Sequence, residues 1–160
     1  LTVSLPKVQQ SHFNLVVQGR VRLHAQTQTV LQNGENGVKV SLTKAAGRSE
    51  GRRIVSQYRS DDFDALAVVL LCEDRARGLF LVPVGYLTWK GAVGSCQKKS
   101  GCLTLYPPWS MPQRPRLAEL KQQQQVFYHD LISSQEEQSE NEHARLRAAV
   151  LSCHRDWHEP

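Results

Sequence analysis

The stretch "YRSDDFDALAVVLL", residues 58–71, decides the fold of this 160-residue chain. Its second half, residues 65–71, is a continuous apolar run of strand length, which is typical of a central strand buried on both faces. In its first half, Asp61 and Asp62 after Ser60 are typical of a turn. We therefore place a buried strand at the middle of a sheet and look for its neighbours on either side.

The residues before this run predict strands in series. Residues 1–5 indicate a short strand, and residues 13–17 indicate a second strand. After a turn, residues 21–26 alternate between apolar and polar side chains, which is the pattern of a half-buried strand. Residues 38–42 alternate again behind two Asn-Gly turn signals. We expect a hairpin that continues into a three-stranded meander.

The residues after the run predict a second hairpin and then helices. Residues 75–78 indicate a turn into a strand at 79–84, and residues 103–106 a short edge strand. Residues 117–125 favour a helix, whose run of four glutamines we interpret as a low-complexity patch without chemistry. The long helix signal covers residues 134–157.

The long C-terminal helix carries a narrow apolar stripe. Its members recur at spacings of four, three and four residues, which places them on one helix face. They are Leu146, Val150, Cys153 and Trp157. A stripe this narrow does not form a core alone, so we predict that it docks on a protein neighbour.

Charge divides the chain into two parts. Residues 1–121 hold 17 Lys or Arg against 8 Asp or Glu, whereas residues 122–160 hold 3 against 7. We therefore predict a basic domain at 1–121 and an acidic helical extension at 122–160. A basic domain suits a polyanionic partner, because Lys and Arg release counterions from phosphates. A solubilising surface charge is the alternative.

The apolar content predicts a folded domain without a membrane partner. Hydrophobic residues make up 40% of the sequence, which is too many for a disordered chain. No apolar run approaches the length of a membrane span. The four cysteines form no dense disulfide framework, so we expect a reducing intracellular compartment.

Basic residues suggest where nucleic acid would bind. Residues 44–53 are polar, contain glycine and arginine, and lack an apolar period, so we predict a mobile basic loop that orders on a phosphate backbone. A solvated loop is the alternative. Tyr58 and Trp89 could stack on unpaired bases or pack in the core. The candidate nucleic-acid contacts are Arg20, Arg22, Lys39, Lys44, Arg48, Arg52, Arg53, Lys98 and Lys99.

Two groups of residues carry side chains that could bind a metal ion. The side chains with zinc-ligand chemistry are Cys96, Cys102, Cys153, His154 and His158. Their spacings miss those of the short zinc knuckles. Asp61, Asp62 and Asp64 form another possible cluster, which we interpret as a turn. We therefore predict no metal site and no cofactor.

Five segments in order resemble one enzyme family. They are "LTVSLP" (1–6), "HFNLVV" (12–17), "RLHAQT" (22–27), "YRSDDFDALAVVL" (58–70) and "GLFLVPVGYL" (78–87). Their order and spacing resemble the PD-(D/E)XK endonucleases, in the branch of homing endonucleases with a Gln-Val-Lys motif. The match covers about residues 1–90. It implies an α+β fold of the α/β/α type, with a restriction-endonuclease-like core and a mixed central sheet. We expect the N-terminal helix of that core to be absent from this chain and a long C-terminal helix to follow.

The resemblance also implies a degenerate catalytic site. In such nucleases an Asp and a Glu or Gln hold Mg²⁺, and a Lys orients the attacking water. At the matching positions this chain has Asn14, His24 and Gln26. Mg²⁺ needs hard anionic oxygens, which an amide and an imidazole do not supply. Lys39 could replace the missing lysine, but Gly37 then stands where Glu or Gln is required.

We therefore expect a catalytically inactive nuclease-like protein that binds nucleic acid, RNA in preference to DNA. It would act as a binding or scaffold component of a larger ribonucleoprotein assembly, such as a mitochondrial or other organellar ribosome. The alternative is an active Mg²⁺-dependent DNA endonuclease, completed by an upstream residue or a partner subunit. A structural protein without nucleic-acid contact is the third possibility.

Overall fold

The computed structural model describes residues 3–4, 15–17, 21–30, 37–49, 52–94, 101–131 and 148. The strands are β1 (Val3–Ser4), β2 (Leu15–Val17), β3 (Val21–Thr29), β4 (Val38–Ser41), β5 (Thr43–Ser49), β6 (Arg52–Gln57), β7 (Ala65–Cys72), β8 (Arg75–Pro83), β9 (Cys102–Leu105) and β10 (Tyr128–Asp130). The helices are α1 (Val84–Trp89) and α2 (Pro115–Gln124), and a 3-10 turn spans Gln125–Phe127.

The main sheet has six strands in the order β1-β2-β3-β7-β8-β10. β3 and β7 run parallel, and the other neighbours are antiparallel. The predicted mixed sheet is confirmed, as is the β2–β3 hairpin. β7 lies in the interior of the sheet with most of its side chains buried, because its apolar run contacts protein on both faces.

Each face of the sheet packs against its own group of apolar side chains. Phe63, Leu66 and Phe80 belong to the larger core. Val21 and Leu23 belong to a smaller core on the opposite face, together with short side chains of β7. Because successive strand residues face opposite ways, the polar residues that alternate with Val21 and Leu23 lie on the face of the larger core. They are Arg22, His24 and Gln26.

The predicted meander is wrong. β4 pairs with β9, and the second neighbour of β3 is β7, which lies more than thirty residues later in the chain. Alternation identifies the buried face of a strand but not its partner, and a parallel pair requires a long crossover connection. β4 and the two strands after it belong to that crossover.

The turn predicted at residues 75–78 is also wrong. β7 and β8 are joined by Glu73 and Asp74, between the paired residues Cys72 and Arg75. Both turn residues have positive φ, 50° and 61°. A two-residue hairpin of this type usually carries Asn-Gly or Asp-Gly, and Glu-Asp gives no such signal.

The loop predicted at residues 44–53 is a hairpin. β5 and β6 pair antiparallel from Thr43–Gln57 to Ser49–Arg52 and form a separate two-stranded sheet. We call residues 43–57 the basic hairpin. Its sequence lacks an apolar period because β5 and β6 do not join the main sheet, and a period appears only where one face is buried.

The helices differ in how well the sequence predicted them. α2 is confirmed within two residues of the predicted start. α1 begins directly after Pro83, where the sequence analysis predicted the end of a strand. The long helix predicted at residues 134–157 lies outside the described residues. Within the described ranges, no helix has the length and apolar character needed to cross a membrane.

Candidate nucleic-acid interface

His24 and Gln26 form a hydrogen-bonded pair on β3. The Gln26 amide nitrogen lies 2.8 Å from His24 Nε2 and donates to the Ser41 carbonyl at 3.1 Å. If the amide hydrogens serve both contacts, Nε2 accepts and the neutral ring carries its proton on Nδ1. The two positions that the resemblance assigns to a metal ligand and a lysine therefore hydrogen bond to each other.

Aromatic rings surround His24. Its ring centroid lies 4.7 Å from that of Tyr58 and 5.5 Å from that of Phe63, with the Phe63 ring stacked at 28°. Phe63 is completely buried and Tyr58 is half-buried. Burial and the nearby Asp62 raise the pKa of Tyr58. The Tyr58 ring thus packs in the protein, as the second of its two sequence interpretations expected.

Asp62 binds the base of the basic hairpin to the body of the protein. Lys44 Nζ lies 2.6 Å from Asp62 Oδ2, and the Arg59 backbone N–H donates to the same oxygen at 2.7 Å. The Asp62 backbone N–H donates to the Arg59 carbonyl at 3.1 Å, which closes the turn predicted here. Asp62 is only 7% exposed. This buried carboxylate is therefore neutralised by a cation from β5.

Arg22 contacts the second carboxylate of this region. Its guanidinium donates to Asp64 Oδ1 at 2.8 Å and to the Asp61 carbonyl at 2.9 Å. The hydrogen bond to Asp64 raises the pKa of Arg22, against a lowering by burial. We call Arg22, His24, Gln26, Lys44, Asp62 and Asp64 the polar cluster. Across the described ranges, no three His, Cys, Asp or Glu side chains lie close enough to hold one metal ion.

In the basic hairpin, the described side chains at residues 45–48 and 54–55 are exposed on both faces. Ile54 is 45% exposed and Val55 is 55% exposed, although neighbouring strand residues face opposite ways. The hairpin sequence contains four Lys or Arg and one Glu, a balance of +3. In the backbone register Arg48 is the partner of Arg53, and Ser49 is the partner of Arg52. The hairpin is therefore a basic arm that projects from the protein.

One strand connects this arm to the core. Residues 38–49 run through β4 and β5 and change partner at Leu42, which is completely buried. The Leu42 backbone N–H donates to the Gly101 carbonyl beside β9, and the Leu42 carbonyl accepts from the Tyr58 backbone N–H after β6. Leu42 thus marks the boundary between the core and the arm.

Of the remaining predicted contacts, the described residues include Lys39 and Trp89. Lys39 is exposed on β4. Trp89 is 39% exposed, and Lys90 Nζ lies 3.7 Å from its ring centroid. Asn14, Arg20, Lys98, Lys99, Leu146, Val150, Cys153 and Trp157 lie outside the described residues. Ile54 and Val55 were not predicted as strand residues of a hairpin, because the Glu-Gly pair before residue 52 is not one of the usual hairpin-turn signals.

Solved structures that are similar to this chain include that of MepB. Its crystal structure aligns with a TM-score of 0.59 and 16% identity over 82% of this chain and 89% of that chain. The structure of a bacterial homing endonuclease, I-Ssp6803I, aligns with a TM-score of 0.47 and 17% identity, over 78% of this chain and 82% of that chain. No family model matches the chain, and no curated protein matches it. The likeness to MepB shows a shared fold, and the PD-(D/E)XK assignment stays a prediction.

Proposed function

We propose that this protein is a catalytically inactive, nuclease-like chain that binds nucleic acid through the basic hairpin. The observation that carries the proposal is the pairing of Asp62 with Lys44 and of Asp64 with Arg22. Mg²⁺ in a nuclease site needs anionic oxygens. To recruit these carboxylates, the ion would have to displace two cations of the same chain.

The charge of the polar cluster also suits a binder of phosphates. Its two carboxylates are balanced by Arg22 and Lys44, so no acidic excess repels a polyanion. Apart from Lys44, the basic hairpin contains three arginines and one glutamate, so it adds a balance of +2 beside this neutral cluster. Such a surface gains affinity by releasing counterions from a phosphate backbone.

We further propose RNA as the preferred nucleic acid and a larger ribonucleoprotein, such as an organellar ribosome, as the setting. This part rests on the family resemblance. Purification of the intact particle from its source, with identification of its nucleic acid, tests it. Recovery with DNA and without RNA would contradict it.

The catalytic part is tested by incubating the purified protein with Mg²⁺ or Mn²⁺ and with plasmid DNA or structured RNA. We expect both substrates to stay intact. Cleavage by the wild-type protein that disappears in His24→Ala or Gln26→Ala would instead establish the alternative, an active endonuclease that uses these positions.

The binding part is tested by measuring affinity for RNA and DNA oligonucleotides at several salt concentrations. We expect affinity to fall steeply as salt rises, because phosphate contacts release counterions. The triple variant Arg48→Ala, Arg52→Ala, Arg53→Ala should bind weakly. The matched control replaces Arg75, Arg114 and Arg116, three exposed arginines of other elements, and removes the same net charge. Equal losses in the two triple variants would reject the hairpin as the interface.

A further inference from the structure

The register of the basic hairpin points to a specific site. We propose that Arg48 and Arg53 together bind one phosphate group of a nucleic-acid backbone across the ribbon. The proposal rests on the proposed function, since it takes nucleic acid as the ligand. It differs in assigning one phosphate jointly to two arginines on different strands.

Arg48 and Arg53 occupy facing positions on the two strands of the hairpin. Arg48 on β5 and Arg53 on β6 are direct partners in the antiparallel ladder. Residues at such positions share one face of a ribbon, and like charges there destabilise the pairing. An anion bound between two cations replaces their repulsion with two attractions. The hairpin therefore pairs more favourably at this position when a phosphate is present.

The type of side chain is the second argument. A guanidinium presents planar, paired N–H donors that match the oxygens of a phosphate, and its charged hydrogen bonds are stronger than neutral ones. A phosphodiester has two non-bridging oxygens, so each arginine can donate to one of them. Two arginines on neighbouring strands thus satisfy one phosphodiester.

A phosphate group can reach Arg48 from solvent. Arg48 is exposed, and a Cβ atom built at the neighbouring Gly47 meets nothing within 4 Å. Glu50 is the single acidic residue in the hairpin sequence. Lys44, at the base of the same strand, is instead paired with Asp62. Lys44 therefore holds the base of the hairpin, whereas Arg48 is an exposed cation further out on the same strand.

A double-mutant cycle with an RNA oligonucleotide and a DNA oligonucleotide tests the site. The variants are Arg48→Ala, Arg53→Ala and the double variant. If both arginines are needed for one phosphate, each single change should cost nearly the same factor in affinity as the double change. The slope of log affinity against log salt should fall by about 0.7 to 0.9 in all three variants, the value for one phosphate contact.

Arg52 supplies the matched control, because its ladder partner is Ser49 rather than a cation. The losses of Arg48→Ala and Arg52→Ala should multiply in the double variant, and its salt slope should fall by about twice the value for one phosphate. The same cycles made with Gln in place of Ala, with thermal unfolding of every variant, separate lost binding from lost folding.

Multiplying losses in the Arg48 and Arg53 cycle, with a twofold drop in salt slope, would overturn the shared site. Nucleic-acid binding by the hairpin would then stand without it. A wild-type protein that binds neither oligonucleotide would overturn the proposed function, and the shared site with it.

Discussion

Arg22 and Asp64 bind each other through both their backbones and their side chains. The Arg22 backbone N–H donates to Asp64 Oδ2 at 2.7 Å, and the Asp64 backbone N–H donates to the Arg22 carbonyl at 2.8 Å. The guanidinium adds bonds to both carboxylate oxygens. Asp64 directly precedes β7, and Leu23 on β3 pairs with Ala65. The pair therefore fixes the register of the parallel strands.

Arg22→Lys should lower the free energy of unfolding by about 1 kcal/mol, because an ammonium cannot reproduce the fork of hydrogen bonds to Asp64. Chemical denaturation measures the change. The control is Arg59→Lys, since Arg59 and Asp61 form an ion pair whose side chains are 74% and 73% exposed. A similar loss in the control would show that the geometry at Asp64 is unimportant.

Asp62→Asn should destabilise the protein by about 2 kcal/mol, because it removes the buried carboxylate that binds the half-buried Lys44. Asp61→Asn is the matched control at the neighbouring position. Its exposed ion pair contributes about 0 to 1 kcal/mol. Thermal or urea unfolding compares the two variants, and equal stabilities would contradict a role for the Lys44 pair.

Glu73→Asn with Asp74→Gly should raise the free energy of unfolding by about 1 kcal/mol, because these residues tolerate positive φ better than the native pair. Urea unfolding measures the gain. Ala76→Gly is the control on the adjacent strand, where added glycine should cost about 0.5 to 1 kcal/mol. A loss of stability in the turn variant would contradict the positive φ angles.

Gln124→Leu should cost about 2 to 4 kcal/mol, since it leaves two backbone groups without their partner. The buried Gln124 side chain accepts from the Tyr106 backbone N–H and donates to the Thr104 carbonyl, both at 2.9 Å. Gln122→Leu, at an exposed position of the same glutamine run, should change stability little. Differential scanning calorimetry compares the two variants, and equal losses of stability would contradict a special role for Gln124.

Acid should destabilise the protein partly through His129. Burial lowers the pKa of this side chain in the folded state, so the unfolded chain binds its proton more readily. The contribution is therefore fully present above the unfolded pKa, about 6.5, and is lost as pH falls below it. Melting temperatures measured from pH 7.5 to pH 5 should fall less in His129→Gln. Identical curves of melting temperature against pH in the wild type and the variant would show that His129 does not contribute to the acid sensitivity.

Several features could be predicted from the sequence because they depend on neighbouring residues. The apolar run of β7 and the alternation of β3 identify strands wherever a face is buried. The same period placed His24 and Gln26 on one face. The ion pairs could not be predicted, since Lys44 and Asp62 lie 18 residues apart and Arg22 and Asp64 lie 42 apart. Only the fold brings such residues together.

The basic hairpin was missed for a related reason. Ile54 and Val55 are exposed on a ribbon whose strands pair with each other and not with the main sheet, so no repeating apolar pattern distinguishes these strands from a loop. The interpretation of the glutamine run as a patch without chemistry was wrong for Gln124. Its composition resembles low complexity, yet Gln124 is completely buried.

Because the strand changes partner at Leu42, the length of the basic hairpin can vary independently of the length of the strands in the core. Leu42 is completely buried and residues 43–48 are not, so residue pairs inserted beyond Leu42 leave the core contacts in place. Each pair added across the two strands extends the arm by about 3.4 Å. The reach of the arm is thus open to change by small insertions during evolution or by design, while the sheet beneath it keeps its dimensions.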